Sequence, residues 1–317
     1  MPLANNRILA RSHSVALGNW PAGVPDSRSA TFEALLAHLK NAGYDGVEMG
    51  VSFFARYFPD DSPAVVASKT QRALDGAGLQ VFGATLHVTD PAMRELRWID
   101  EVKDEIKLTQ DLGGEYVSFQ INLHSDYCNT GGEYRDDEEY LQECARNIRK
   151  MRAAAWEQDM NFYVETHIDR ISEDPAAFAR ILQMATSEVT GDLSHYLYRG
   201  ITKGKHLDAI NKHMGHTHVR MCRTHGDLSA DVPCPQSDWE SGGVTWQMFQ
   251  MMKAGLKGGL SSRTVVGESG PMHLVKDTLG LDQKLVPLYR ALATYADNQA
   301  NGIEQKVEEP GDLKPWG

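Results

Sequence analysis

The sequence predicts a single (β/α)8 barrel, an α/β TIM-barrel fold, and three observations carry that prediction. Short apolar runs alternate with longer amphipathic stretches along the chain, which is the pattern of parallel strand–helix units. The chain has 317 residues, comfortable for a barrel that needs roughly 250 plus extensions. Four consecutive apolar runs in the second half also finish on Glu, Asp or His, and barrel active sites are built at the C-terminal ends of strands.

Taken in order, Arg7–Ser12 opens the barrel. Thr31–Asn41 has Phe32, Leu35, Leu36 and Leu39 at helical spacing, with Gly43 as a stop. Gly46–Met49 is the second strand. Ser62–Asp75 is a helix with Ser62 at the N-cap and Pro63 at the first helical position. Leu79–Leu86 is the third strand, and Pro91–Leu112 its helix. Glu115–Ile121 is the fourth strand. Asp136–Gln158 is a charged helix with Tyr140, Leu141, Cys144, Ile148 and Met151 on one stripe. Asn161–Thr166 is the fifth strand, and Asp174-Pro175 begins the helix after it. Val189–Leu193 is the sixth strand, with a short helix near Lys205–Lys212. His216–Met221 is the seventh. The Pro-, Gly- and Ser-rich segment Gly226–Val244 leads into a helix at Thr245–Lys257. Arg263–Glu268 is the eighth strand, and Asp277–Asn301 closes the ring. No repeat or linker divides the chain, so residues 1–302 form one domain. The tail 303–317 lacks periodicity and is expected to pack outside the barrel or at a subunit interface.

Composition excludes several classes. The net charge is −11, which argues against a nucleic-acid partner, because phosphate binding needs clustered Lys and Arg. There is no run of about 18 apolar residues that would span a membrane. The N-terminus lacks the apolar core of a signal peptide. Cys128, Cys144, Cys222 and Cys234 form no CxxC pair, which fits a reducing cytoplasm.

The chemistry concentrates in the strand ends. Strands five to eight finish with Glu165-Thr166-His167, Asp192 followed by His195, His216-Thr217-His218, and Glu268. Neighbouring strand ends converge in a barrel, so Glu165, Asp192, His218 and Glu268 form a candidate metal site. Three carboxylates and one imidazole suit Mn²⁺, Mg²⁺ or Co²⁺ with open positions for substrate oxygens. No cysteine falls on these ends, as a four-ligand structural zinc site would favour. The period of a strand puts His167 on the same side as Glu165. His167 is therefore free to act on substrate while Glu165 holds the metal. His216 and His218 both face inward, and His218, deeper along the strand, is the expected ligand. His195 lies just beyond its strand, beside a substrate hydroxyl. His216, His87, His124 and Arg220 complete the expected substrate-binding wall.

The ordered set Glu165, Asp192, His218 and Glu268, within the phrases YVETH, GDLSHY, HTHVR and VVGESG, resembles the xylose isomerase-like barrels of the sugar phosphate isomerase/epimerase superfamily. The resemblance runs from GYDGVEM after the first helix to the eighth strand. It implies one divalent ion, usually Mn²⁺, with Zn²⁺ also admitted. It also implies that Glu165 and Glu268 each serve as ligand and acid–base group. Members share one step, removal of a proton next to a sugar carbonyl.

His167 decides between branches. Its Glu-x-His pattern is most similar to the large subunit of C-glycoside deglycosidases, where the histidine is the acid–base group. That resemblance implies a lyase that cleaves 3-oxo-glycosides by elimination, and a small partner subunit or a homo-oligomer. The alternative is a ketose isomerase or epimerase working through an enediolate, with Glu165 and Glu268 as the two bases. A metal-dependent endonuclease on the same barrel would need more ligands and a basic groove, against which the net charge speaks.

Overall fold

In the computed structural model eight parallel strands close into a barrel in the order β1 to β8, each hydrogen-bonded to the next and β1 to β8. The structure describes residues 7–11, 31–86, 98–121, 133–167, 170–193, 195–196, 201, 203–220, 264–268, 283, 286–287 and 289–290. The strands are β1 (Arg7–Arg11), β2 (Gly46–Glu48), β3 (Gln80–Leu86), β4 (Tyr116–Gln120), β5 (Asn161–Glu165), β6 (Glu188–Asp192), β7 (Met214–Arg220) and β8 (Thr264–Glu268). The helices between them are α1 (Phe32–Ala42), the short α2 (Val51–Phe54), α3 (Pro63–Ala77), α4 (Trp98–Asp111), α5 (Glu138–Trp156), α6 (Pro175–Ala185) and α7 (Lys205–Asn211). The expected helices at 245–257 and the tail after 302 lie outside the described residues. The described positions of segment 283–290 are helical, and Val286 and Tyr289 are buried. Among the described residues no helix is long and apolar enough to cross a membrane.

Local chemistry fixes the helix ends. The Thr31 side chain accepts the Ala34 N–H at 3.2 Å, and Gly43 ends α1 in the left-handed conformation at φ 88°. Asp137 accepts the Tyr140 N–H at 3.1 Å to start α5. Asp174 accepts from the Ala176 and Ala177 N–H groups and Pro175 takes the first position of α6. Ser62 occupies the N-cap of α3 as expected, but its side chain makes no capping bond.

The apolar residues sort into two cores. The larger lies between strands and helices and takes in Leu35, Leu39, Val47, Ile106, Ile148, Phe178 and Ile181. The smaller is Leu9, Phe82, Tyr116 and Tyr163, from β1, β3, β4 and β5, and fills the barrel itself. Tyr116 and Tyr163 meet edge-on with ring centroids 5.5 Å apart.

Two irregularities aim the strands. Glu48 pairs with Gly83 although Val47 pairs with Val81, so β3 carries an extra residue. Thr190 pairs with His216 although Val189 pairs with Met214, so β7 carries one too. Such bulges switch the face that the following residues present. The second one explains why β7 begins at Met214, two residues before the expected start: the pleat changes phase at Gly215, and alternation alone does not follow the strand through it. The α2 turn after β2 is also absent from the sequence expectation. Its Val51, Phe53 and Phe54 are buried, and a four-residue apolar run does not distinguish strand from helix.

Glycine occupies the tight point of the inner core. A Cβ on Gly83 would lie 2.5 Å from the Tyr116 ring, whereas one on Gly76 in α3 would meet nothing within 4 Å. Gly83→Ala is therefore expected to destabilise by about 1–3 kcal/mol through overpacking, and Gly76→Ala to stabilise by about 0.5–1 kcal/mol. Urea unfolding of the two variants beside the parent checks both signs.

Candidate metal centre

The inward side chains of β2, β5, β6 and β7 converge on His218. Its Nδ1 lies 3.0 Å from Glu165 Oε1, and its Nε2 lies 3.1 Å from Glu48 Oε1. Glu165, Asp192 and His218 each offer a donor atom, all within 4.8 Å of one another, and all three side chains are buried. These are three of the four ligands expected from the sequence. The backbone of the fourth, Glu268, ends β8 in register with Arg220. The side chains of Glu268 and Arg220 lie outside the described residues, as do His87 and His124.

Glu165 and Asp192 are each held by neighbouring strands and loops. Gln120 donates to Glu165 Oε2 at 3.0 Å from the adjoining β4. The Thr166 hydroxyl accepts the Asp192 N–H at 2.8 Å and donates to the Asp192 carbonyl at 3.0 Å, tying β5 to β6 where both reach the mouth. His195 Nε2 lies 3.2 Å from Asp192 Oδ2. The His167 ring stands beside that of His195, centroids 4.3 Å apart. Ser172 Oγ accepts the His167 N–H at 3.0 Å, and the Tyr196 hydroxyl donates to the Ser172 carbonyl at 2.7 Å. The two histidines thus form one edge of the site, with His195 joined to Asp192 and His167 next to it.

The residue that the sequence expectation omits is Glu48, at the end of β2. Its side chain is fully buried and receives four donors: Thr85 at 2.6 Å, Tyr116 at 2.7 Å, His216 at 2.9 Å and His218 at 3.1 Å. Burial pushes the Glu48 carboxyl up, but the charge and hydrogen bonds of His218 and His216 outweigh it and hold the group well below the usual carboxylate range. Burial likewise drives the His216 imidazole below its ordinary value, against the pull of Glu48. Glu48 thus stands as the carboxylate around which both imidazoles of β7 are gathered. The strand-end rule that singled out Glu165 and Asp192 applies equally to GYDGVEM, and that signal finds Glu48.

Two expectations about β7 need correction. His216 sits in the Glu48 network, beneath the layer of Glu165, Asp192 and His218, rather than in the substrate-binding wall expected of it. It is fully buried, bonded to Glu48, with its ring 4.5 Å from that of Tyr116 and 5.7 Å from that of Tyr163. His218 is the residue nearer the mouth, not the deeper one: it pairs with Asp192 at the end of β6, while His216 pairs with Thr190. It reaches Glu165 and Asp192 for that reason.

A closed parallel barrel with buried carboxylates and an imidazole gathered at its C-terminal mouth defines a class of metal-competent TIM-barrel proteins. Residues 36–248 match the family model for the xylose isomerase-like TIM barrel, and the chain belongs to that family. No functionally curated protein matches the sequence itself. Among solved structures, a xylose isomerase-like TIM barrel protein from Mycobacterium smegmatis in complex with magnesium has a TM-score of 0.62 at 13% identity, covering 92% of this chain and 97% of its own. The 3-keto-D-glucoside 4-epimerase of E. coli has a TM-score of 0.58 at 15% identity, covering 90% and 98%. The D-allulose 3-epimerase of a Methylomonas species, solved with D-allulose, has a TM-score of 0.58 at 14% identity, covering 90% and 96%.

Removing one donor from a buried carboxylate leaves its charge less compensated. Tyr116→Phe is expected to cost about 1–3 kcal/mol of stability, read as a lower urea midpoint with an unchanged slope. An unchanged midpoint would mean that the hydroxyl adds nothing to the network.

Proposed function

We propose that this chain is a divalent-metal-dependent acid–base enzyme that removes the proton beside the carbonyl of a keto-sugar, and that its reaction is the cleavage of a 3-oxo-glycoside by elimination. The observation that carries the reading is the joining of Glu165, Asp192 and His218 to the His167–His195 pair. The donor set fits a divalent ion on its own chemistry: Glu165 and Asp192 are buried carboxylates whose donor atoms lie within 4.8 Å of each other and of His218, and a cation there offsets a repulsion that burial magnifies. Glu165, Asp192 and His218 would hold the ion, with Glu268 as the fourth ligand that the resemblance implies. Mn²⁺ is the preferred ion, and magnesium in the Mycobacterium smegmatis relative supports a divalent one. When bound, the ion draws charge from a sugar carbonyl and makes the neighbouring carbon more acidic.

The chain's own groups do the rest. His167 takes the proton from carbon 2. The electron pair left there forms the carbon 1–carbon 2 double bond, and the bond from carbon 1 to the aglycone breaks. The departing aglycone atom takes the electron pair of the broken carbon 1–aglycone bond and receives a proton from an acidic group of the site, for which Glu165 and Glu268 are the candidates. His195 binds a sugar hydroxyl. A small partner subunit or a second copy would complete the aglycone side.

A second reading is an epimerase or isomerase, favoured by the activities of the E. coli and Methylomonas structures. There Glu165 and Glu268 act as bases on opposite faces of the same enediolate. Incubation of Mn²⁺-loaded protein with a 3-oxo-glycoside, and separately with free ketohexoses, in deuterated water separates the readings by NMR. Aglycone release supports elimination. Deuterium in an intact, epimerised ketose without cleavage overturns it in favour of the second reading.

Two variants follow. His167→Ala is expected to retain the metal while kcat on a 3-oxo-glycoside falls by about 100-fold or more, the scale of general acid–base catalysis. Asp192→Asn and His218→Ala are expected to lose bound Mn²⁺, measured by elemental analysis after gel filtration.

A further inference from the structure

We propose that Glu48 is a positioning residue that sets the metal affinity of this barrel by holding His218 in one tautomer and one orientation. The proposal rests on Glu165, Asp192 and His218 being the metal ligands. The two ring nitrogens of His218 face different carboxylates. Nδ1 is 3.0 Å from Glu165 Oε1, on the side shared with Asp192, and Nε2 is 3.1 and 3.3 Å from the two oxygens of Glu48. A proton held on Nε2 by Glu48 leaves the Nδ1 lone pair aimed at the space between Glu165 and Asp192. A histidine ligand works best in this arrangement, with its second nitrogen donating to a carboxylate that fixes the ring and raises its basicity.

Glu48 is suited to this role and not to ligation. Thr85 and His218 already occupy its Oε1, and Tyr116 and His216 its Oε2. Glu48, His216 and His218 form a second group with ligand-competent spacing. An ion seated there would have to displace the Thr85, Tyr116 and His216 donors from one buried carboxylate. His216, wedged on Tyr116 and Tyr163, instead anchors Glu48 from below. The chain is Tyr116 and His216 to Glu48, Glu48 to His218, and His218 to the ion.

The test is Mn²⁺ titration into metal-free protein, followed by the electron paramagnetic resonance of free Mn²⁺, for the parent, Glu48→Gln, Glu48→Asp and Asp192→Asn. Imidazole ¹⁵N spectra of the metal-free forms accompany it. Glu48→Gln is expected to weaken Mn²⁺ by about 10- to 100-fold, and the His218 signals to change from one tautomer to a mixture. Glu48→Asp keeps the charge but withdraws it, and carries the test if the Gln variant does not fold; about 10-fold weakening is expected on the same scale. Parent affinity in the folded Glu48 variants, with affinity lost in Asp192→Asn, overturns the role of Glu48 and leaves the metal centre intact. Parent affinity in Asp192→Asn overturns the centre itself. Complete loss of Mn²⁺ in Glu48→Gln, with the His218 tautomer unchanged, makes Glu48 a direct ligand and also overturns the proposal.

Discussion

The structure depends on a carboxylate where a barrel would ordinarily put a hydrophobic side chain. Glu48 sits in the interior with none of its side chain exposed, and burying an isolated charge costs far more than any single packing contact returns. The barrel meets that cost by converging four donors from three strands, Thr85 on β3, Tyr116 on β4 and both histidines of β7. Each donor is set by something else. The β3 irregularity aligns Gly83 with Glu48, Gly83 leaves room for the Tyr116 ring, and the β7 irregularity turns His216 and His218 inward. The polar network and the strand register are therefore one constraint.

That arrangement layers the barrel. Leu9, Phe82, Tyr116 and Tyr163 fill it. His216 rests on the two tyrosines and carries Glu48. His218 joins Glu48 to Glu165 and Asp192 at the mouth. An apolar base gives the polar layers rigid support and a low-dielectric surrounding, in which charge–charge interactions are stronger than in water. The polar cluster at the mouth is thus separated from the packing below it by a histidine–carboxylate layer that belongs to both.

The other side of the site is organised by backbone contacts. Thr166 grips both the N–H and the carbonyl of Asp192, and Ser172 and Tyr196 fix the turn on which His167 stands. Asp192 then has two neighbours of different kinds, His218 within the Glu165–Asp192–His218 cluster and His195 beside it. Shared contact of one carboxylate with both sides couples the geometry of the Glu165–Asp192–His218 cluster to that of the His167–His195 pair.

The sequence by itself determined the architecture and half of the site. Alternating apolar runs and amphipathic helices specify parallel strand–helix units, because each must bury one face against the next. Glu165, Asp192 and His218 were legible because the ends of successive strands come together in any closed barrel, so position along the strand is sufficient. Tertiary structure alone decided which inward residue does what. Alternation treats His216 and His218 as equivalent, and only the stagger between β6 and β7 separates them into one residue at the mouth and one beneath it. Alternation also breaks at Gly215, where an extra residue changes the phase of the strand. Glu48 was hidden for the same reason: its partners Thr85, Tyr116, His216 and His218 are separated from it by 37 to 170 positions, and only closure of the barrel brings them around one carboxylate.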